Sequence, residues 1–255
     1  MFTPENKHIF SLLLALHRAE ALGEAAKELR KTERFLAALR EEGETLHDAF
    51  GFNKIETSLE AALLAAQAVG LKGRILLAQV LRSVATTPER IAKAENCFGK
   101  EMGEVLRAFL RVKELLTTQT AAMETDDFRN LLVAQSGDIR VVLMLIADCV
   151  TMMRRVKDTP LIDERTLLAK KAGHIFAPLA HKLGRYQLKS ELEDLSLKYL
   201  ETDAYYYIKE RLNATKKSRD AYIERFIKPL KERLDAEGLN YHIKGRTKSI
   251  HSICQ

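Results

Sequence analysis

The run from Asp138 to Arg155 restricts the fold more than any other stretch. Ile139, Val141, Val142, Leu143, Leu145, Ile146, Ala147, Val150, Met152 and Met153 leave almost no polar face on a helix. A helix apolar nearly all round belongs at the buried centre of its domain. The longest apolar run in the chain, Val141 to Met153, is too short to span a bilayer and carries Asp148. A lone carboxylate in the middle of a buried helix is costly without a partner. Two readings stay open: Asp148 is a metal ligand, or it is paired in the core with a cation or backbone donors.

The other segments read as helices packed around this one. Glu5 to Arg40 carries two amphipathic patterns with a break near Gly23, and Ile55 to Val69 is an Ala/Leu helix stopped by Gly70. Arg74 to Ala85 packs against it, and Pro88 opens a helix that ends at Phe98 before Gly99. Met102 to Leu116 follows, and Asp126-Asp127 can cap a helix ending near Gln135. Apolar residues at 175, 176, 179, 180 and 183, then 188, 192, 195, 197 and 200, form a helical hairpin with Gly184 as its stop. Pro178 predicts a kink or break in the first arm. Beyond it, a helix starts at Asp203, Lys216-Lys217-Ser218 is a basic break, and a long helix runs from Arg219 to Gly238 with Pro229 inside it. Leu239 to Ile243 alternates apolar and polar residues as a strand does. The expected class is therefore all-α, with one short β-strand beginning near the C-terminus.

Charge is unevenly placed. Of 41 basic and 35 acidic residues, 12 and 6 lie in residues 204–255, leaving 29 of each sign in the rest. A basic C-terminal segment on a neutral body suits an anionic partner such as nucleotide phosphates or RNA, or is a solvated lysine-rich face. Three distant cysteines, Cys97, Cys149 and Cys254, make neither a disulfide framework nor a zinc pattern, which favours a reducing, cytoplasmic setting. No signal peptide, Walker loop, GxGxxG, CxxC pair or nucleophile elbow is present. His174 and His181 lie about 10 Å apart along a helix, too far to share one ion. Glu191 and Asp194 share a face with Lys189, Lys198 and Arg185 nearby, which reads as a solvated ion-pair network.

The hairpin block Gly173-His174-Ile175-Phe176-Ala177-Pro178-Leu179-Ala180-His181-Lys182-Leu183-Gly184, with Ser190 to Leu200 after it, resembles the junction of RelA/SpoT-type proteins. That family makes and degrades the guanosine polyphosphate alarmone (p)ppGpp, and there the block joins a hydrolase domain to a synthetase domain. Asp126-Asp127-Phe128-Arg129-Asn130-Leu131-Leu132, Asp138 to Leu143 and Ala147-Asp148 are similar to a helix pair of its HD-type hydrolase. The resemblance covers residues 98–255, starting at Phe98-Gly99-Lys100-Glu101, and is only topological over residues 1–97. It implies an HD-like helical bundle over residues 1–158, a helical linker over 159–218 and the start of a synthetase domain over 219–255.

In active members the aspartate at the position of Asp148 is one of four metal ligands, with an early histidine and an adjacent His-Asp pair. Carried over by position, the pair falls on Arg82-Ser83 and the early histidine near Thr57-Ser58-Leu59. The water-handling Glu-Asp pair falls near Thr86-Thr87, and Cys149 and Thr151 replace a basic residue and a histidine. One carboxylate without imidazole partners cannot hold a catalytic divalent ion firmly, and no general base remains. The resemblance thus implies a vestigial site at Arg82, Ser83, Thr86, Thr87 and Asp148, with no catalytic residue and no bound metal. Arg82 would lie beside Asp148 and could set its guanidinium where the ion used to be. Otherwise Arg82 turns to solvent and hydroxyls such as Thr57 or Ser83 meet the carboxylate.

Gly245-Arg246-Thr247-Lys248-Ser249-Ile250-His251-Ser252-Ile253 resembles the loop that opens the family's synthetase domain. There Arg246 and Lys248, after the turn at Gly245, would contact the phosphates of the ATP donor with Ser252 nearby, and Ser249 stands in place of the usual histidine. The expectation is the N-terminal piece of a longer, cytoplasmic protein that transfers pyrophosphate from ATP to GTP or GDP. Mg2+ would be needed by the full-length synthetase and no cofactor by this piece. Partners would be guanine nucleotides and ATP, its own synthetase and C-terminal regulatory domains, and ribosome or tRNA through regions outside this sequence, with no membrane. The alternatives are a nucleotide-sensing module or a metal-dependent (p)ppGpp pyrophosphohydrolase.

Overall fold

The computed structural model describes residues 4–18, 20–41, 46–119, 122–243 and 249–254, and every regular element in them is helical. The helices are α1 (Pro4–Arg18), α2 (Leu29–Glu41), α3 (Lys54–Leu64), α4 (Arg74–Leu81), α5 (Pro88–Phe98), α6 (Lys100–Thr118) and α7 (Asp126–Ser136). They continue as α8 (Ile139–Arg155), α9 (Ile162–Lys171), α10 (Ala177–Lys182), α11 (Tyr186–Leu200), α12 (Thr202–Ala214), α13 (Lys216–Ala236) and α14 (His251–Cys254). No single helix among the described residues is long and apolar enough to cross a membrane.

Short polar residues begin the helices where their donors need acceptors. The Asn53 side chain accepts from the Ile55 and Glu56 amides, Thr87 from Arg90, and Asp138 from Arg140. At α7 the cap is Thr125, one residue before the predicted Asp126-Asp127, which lie instead in the first turn. Three other expectations are corrected. The helix from Arg74 ends at Leu81, because the Ser83 hydroxyl takes the Val80 carbonyl at 2.6 Å. Lys216-Lys217-Ser218 belongs to α13, and the break falls at Thr215, whose hydroxyl turns back to the Arg211 carbonyl at 3.0 Å. Leu239 to Ile243 is irregular rather than a strand, since alternation makes a strand only beside another, and no neighbouring strand exists among the described residues.

α8 is the buried centre. Val141, Val142, Met144, Ile146, Ala147, Val150 and Met153 are all 0% exposed. Its last turn is tied to two neighbours. Arg155 holds Glu60 on α3 at 2.7 Å and also pairs with Glu56, while Arg154 grips Glu191 on α11 through two bonds of 2.6 and 2.9 Å. The same hydrophobic core runs from Leu12 through α8 to Leu192, so the hairpin packs into the bundle.

The hairpin is bent as Pro178 demands, and the geometry shows how. A five-residue π-turn, Ala172–Phe176, joins α9 to α10, and Pro178 sits in the first turn of α10. Pro178 has no N–H to offer the His174 carbonyl one turn back. Arg129 on α7 supplies the missing donor, at 2.7 Å from that oxygen. Opposite, Ser196 on α11 donates to the Ala169 carbonyl at 2.9 Å, and this close approach requires Gly173. A Cβ on Gly173 would lie 2.7 Å from the Ser196 hydroxyl oxygen. The connection to α11 turns at Gly184, with φ +70°.

Gly173→Ala should therefore destabilise the protein by about 1–3 kcal/mol, the usual cost of forcing volume into a packed crossing. Adding Ser196→Ala should recover part of the loss in urea denaturation. A double variant no more stable than Gly173→Ala would place the strain elsewhere.

Candidate functional site

Asp148 stands two-thirds along α8, where α8 faces the end of α4. The two helices, with α3, α6 and the hairpin, enclose a cavity of about 350 Å³. Thr57 and Ser58 come from α3, Arg82, Ser83 and Thr86 from the turn after α4, and Phe109 and Lys113 from α6. Leu168 of α9 and Phe176 of the π-turn form the wall on the hairpin side.

The carboxylate is matched by a three-residue network. Arg82 Nη2 lies 2.5 Å from Asp148 Oδ1, and Gln79 Nε2 donates to the same oxygen at 3.0 Å. Arg82 Nε in turn donates to Gln79 Oε1 at 2.8 Å, so the amide bridges cation and anion with both of its ends used. The guanidinium lies over the Phe109 ring, 5.2 Å from its centroid. Gln79 is 0% exposed, while the Arg82 and Asp148 side chains keep 19% and 27% of their surface. The alternative, hydroxyls on Asp148, is not what forms. Thr57 donates to the Asn53 and Lys54 carbonyls of its own helix, and Ser83 donates to Val80.

Of the five residues predicted for this site, Arg82, Ser83, Thr86 and Asp148 line the cavity together. Thr87 does not; its side chain caps α5. The residue missed is Gln79, and its signal was present as the one polar side chain inside Ile75 to Leu81, three positions before Arg82.

The donor set does not fit a divalent ion. Among the described residues no group of three or more His, Cys, Asp or Glu side chains converges. Asp48, the other carboxylate of the wall, spends Oδ1 on the Phe50 and Phe52 amides, each at 2.9 Å. Burial, then the Asp148 charge, pushes the Cys149 thiol far above its ordinary range, so it stays protonated and a poor ligand. The Thr151 hydroxyl is turned to the Ala147 carbonyl at 2.9 Å.

The second predicted site lies mostly outside the described residues: Gly245, Arg246 and Lys248 cannot be placed. Ser252 is on α14, with its hydroxyl 2.9 Å from that of Ser249, which also accepts the Ser252 amide at 3.3 Å. The expected carboxylate network on the hairpin divides its tasks. Glu191 reaches Arg154 and Asp194 accepts the His251 amide at 2.9 Å, while Lys189 pairs with Glu193 at 2.7 Å. His174 lies 3.8 Å from Glu124, and His181 packs edge-on against Tyr186.

Because the Arg82–Asp148 pair is only partly buried, Arg82→Ala should cost about 1–3 kcal/mol, between surface and fully buried values. Arg82→Ala with Asp148→Asn should be more stable than Arg82→Ala alone, since an amide needs no cation. A double-mutant cycle by urea denaturation measures this; zero coupling would mean the contact carries no energy.

Comparison with known proteins gives this geometry a lineage. The HD domain family model matches residues 15–186. A GTP pyrophosphokinase of Escherichia coli K12 is 38% identical over 148 residues, covering 58% of this chain and 20% of that protein. The bifunctional (p)ppGpp synthase/hydrolase SpoT of Escherichia coli K12 is 31% identical over 179 residues, covering 70% of this chain and 25% of that protein. A GTP pyrophosphokinase of Myxococcus xanthus is 29% identical over 181 residues, covering 70% and 23%. The chain thus spans about a fifth to a quarter of the length of the curated relatives it matches. With an HD domain over most of its length and these relatives along it, the chain belongs to the HD domain family, as the HD region of the RelA/SpoT type.

Proposed function

We propose that residues 1–158 form a non-hydrolytic HD module of a (p)ppGpp-metabolising protein, joined by a linker at 159–218 to the start of a synthetase domain at 219–255. The observation that carries this reading is the Arg82–Gln79–Asp148 network. A metal-dependent hydrolase needs the Asp148 carboxylate for its ion, and here a guanidinium and an amide both engage Oδ1 of that carboxylate. The remaining family positions, Ser83, Thr86 and Thr87, offer hydroxyls where carboxylates are needed. In this reading the HD module regulates or scaffolds the synthetase.

The activity of the whole protein would be transfer of pyrophosphate from ATP to GTP or GDP, in keeping with relatives named GTP pyrophosphokinase. Gly245, Arg246, Lys248 and Ser252 would meet the ATP phosphates, where two cations after a glycine turn suit a polyphosphate. Mg2+ would serve the full-length synthetase, with acidic residues from outside this sequence. Leu239 to Ile243 would become a strand only against a neighbouring synthetase strand. We place the protein in the cytoplasm, where its nucleotides are, with its own downstream domains as partners and the ribosome or tRNA reached through them.

A second reading has an observation of its own. The cavity has the size of a ligand site and carries Lys54 and Lys113 on its wall beside Arg82. A guanosine polyphosphate could be bound there without turnover, which would make the module a sensor.

One titration separates these readings. The chain is mixed with (p)ppGpp with and without Mn2+, while heat and released pyrophosphate are followed. The expected result is no pyrophosphate release in either condition; binding without release identifies the sensor. Manganese-dependent release would refute the non-hydrolytic reading. Supplied with ATP, GTP and Mg2+, residues 1–255 should also make no alarmone, because no described group after the loop can hold magnesium or take the ribose proton.

A further inference from the structure

The Arg82–Asp148 pair leaves part of each group unused. Arg82 spends Nη2 on Asp148 Oδ1 and Nε on Gln79, whose Nε2 takes the same Oδ1. Among the described residues no hydrogen bond is made by Arg82 Nη1 or by Asp148 Oδ2. Both side chains line the cavity of about 350 Å³, so its wall offers an unused cationic donor and an unused anionic acceptor from one ion pair.

Ser58 adds an independent sign of a ligand. It is only 4% exposed and lines the same cavity from α3, and its hydroxyl has no hydrogen-bond partner among the described residues. A buried hydroxyl without a partner costs free energy, and the adjacent Thr57 avoids that cost by turning to its own helix. The Thr86 hydroxyl on the wall is also uncommitted, and Lys113, exposed at the rim, has no ion pair among the described residues. The remaining wall is largely aliphatic: Leu106 and Leu145 are buried there, and Met152 and Leu168 extend it.

Charge selects the ligand. An anion that reaches Arg82 also meets Asp148 Oδ2, and a cation that reaches Oδ2 also meets the guanidinium. A molecule with both charges on neighbouring atoms satisfies the two together. We propose that the cavity binds a free α-amino acid with an aliphatic side chain of leucine or methionine size. Its ammonium group lies on Asp148 Oδ2 and the Ser58 hydroxyl, and its carboxylate on Arg82 Nη1 and Thr86, with Lys113 behind. Its side chain lies against Leu106, Leu145, Met152 and Leu168. A small ligand suits the volume, which is near the lower end of the range of about 300–1,000 Å³ for ligand sites. This rests on the non-hydrolytic reading, because a metal ion on Asp148 would compete for the same oxygen, and it differs from the sensor reading in the ligand.

The whole chain is titrated calorimetrically with L-leucine, with isocaproate, which lacks the ammonium group, with leucinamide, which lacks the carboxylate, and with glycine. L-leucine should bind with a Kd below about 1 mM, and loss of either charge should weaken binding about tenfold, the scale of a charge-assisted hydrogen bond. Glycine, without the side chain, should give no heat. Ser58→Ala should weaken leucine binding about fivefold without lowering the urea midpoint, since the hydroxyl it removes has no partner in the fold. No heat from leucine overturns the proposal, as does equal binding of leucine and isocaproate. Unchanged leucine affinity in Ser58→Ala overturns the placement of the ammonium group. Pyrophosphate release from (p)ppGpp with Mn2+ is followed in the same samples. Release overturns the non-hydrolytic reading itself, whereas no leucine binding and no release overturns the amino-acid site alone.

Discussion

The charge of Asp148 is the condition that the bundle around α8 has to meet. α8 is packed on nearly every side, so a carboxylate there can be tolerated only if something of opposite charge or a strong donor reaches it. Arg82 and Gln79 do so from α4, and they also lock each other. One consequence is geometric: the end of α4, the middle of α8 and the Phe109 face of α6 are held at one point. The other is chemical. The pair that makes the charge acceptable also engages one oxygen of the carboxylate, Oδ1, with a cation and an amide at once.

The hairpin is bound into this body by a different logic. Pro178 creates an orphan carbonyl at His174, and Arg129 of α7 satisfies it from across the bundle. The π-turn that accompanies the proline turns Phe176 toward the cavity, so a residue of the hairpin becomes part of the pocket wall. Gly173 and Ser196 then let the two arms approach until a hydroxyl reaches a backbone oxygen. The hairpin is thus continuous with the core.

α12 and α13 stand apart from this packing. Neither buries a residue among those described, and Tyr222, Phe226 and Leu230 on α13 remain exposed. Their sequence pattern is helical and the helices form, but helical periodicity says only that a face exists, not what covers it.

Much was legible in the residues alone. The apolar run of α8 pointed to its central place, because a helix apolar on nearly every side has to bury most of its surface. The end signals Gly70, Pro88, Gly99 and Gly184 act through local backbone geometry, and each marks the end or start of a helix as read. Boundaries set by side-chain hydrogen bonds were less visible: Thr125 displaced Asp126 as a cap, and Ser83 cut α4 short. The family resemblance implied that Arg82 and Ser83 stand at the His-Asp positions, and the structure sets both on the cavity wall with Asp148. Gln79 could not be assigned in that way, because its role depends on α4 and α8 meeting at one rotation, a relation between segments 69 residues apart. The same holds for Arg129 on His174 and Asp194 on His251. Local sequence determines which groups need partners; only the tertiary packing decides which distant residue supplies them.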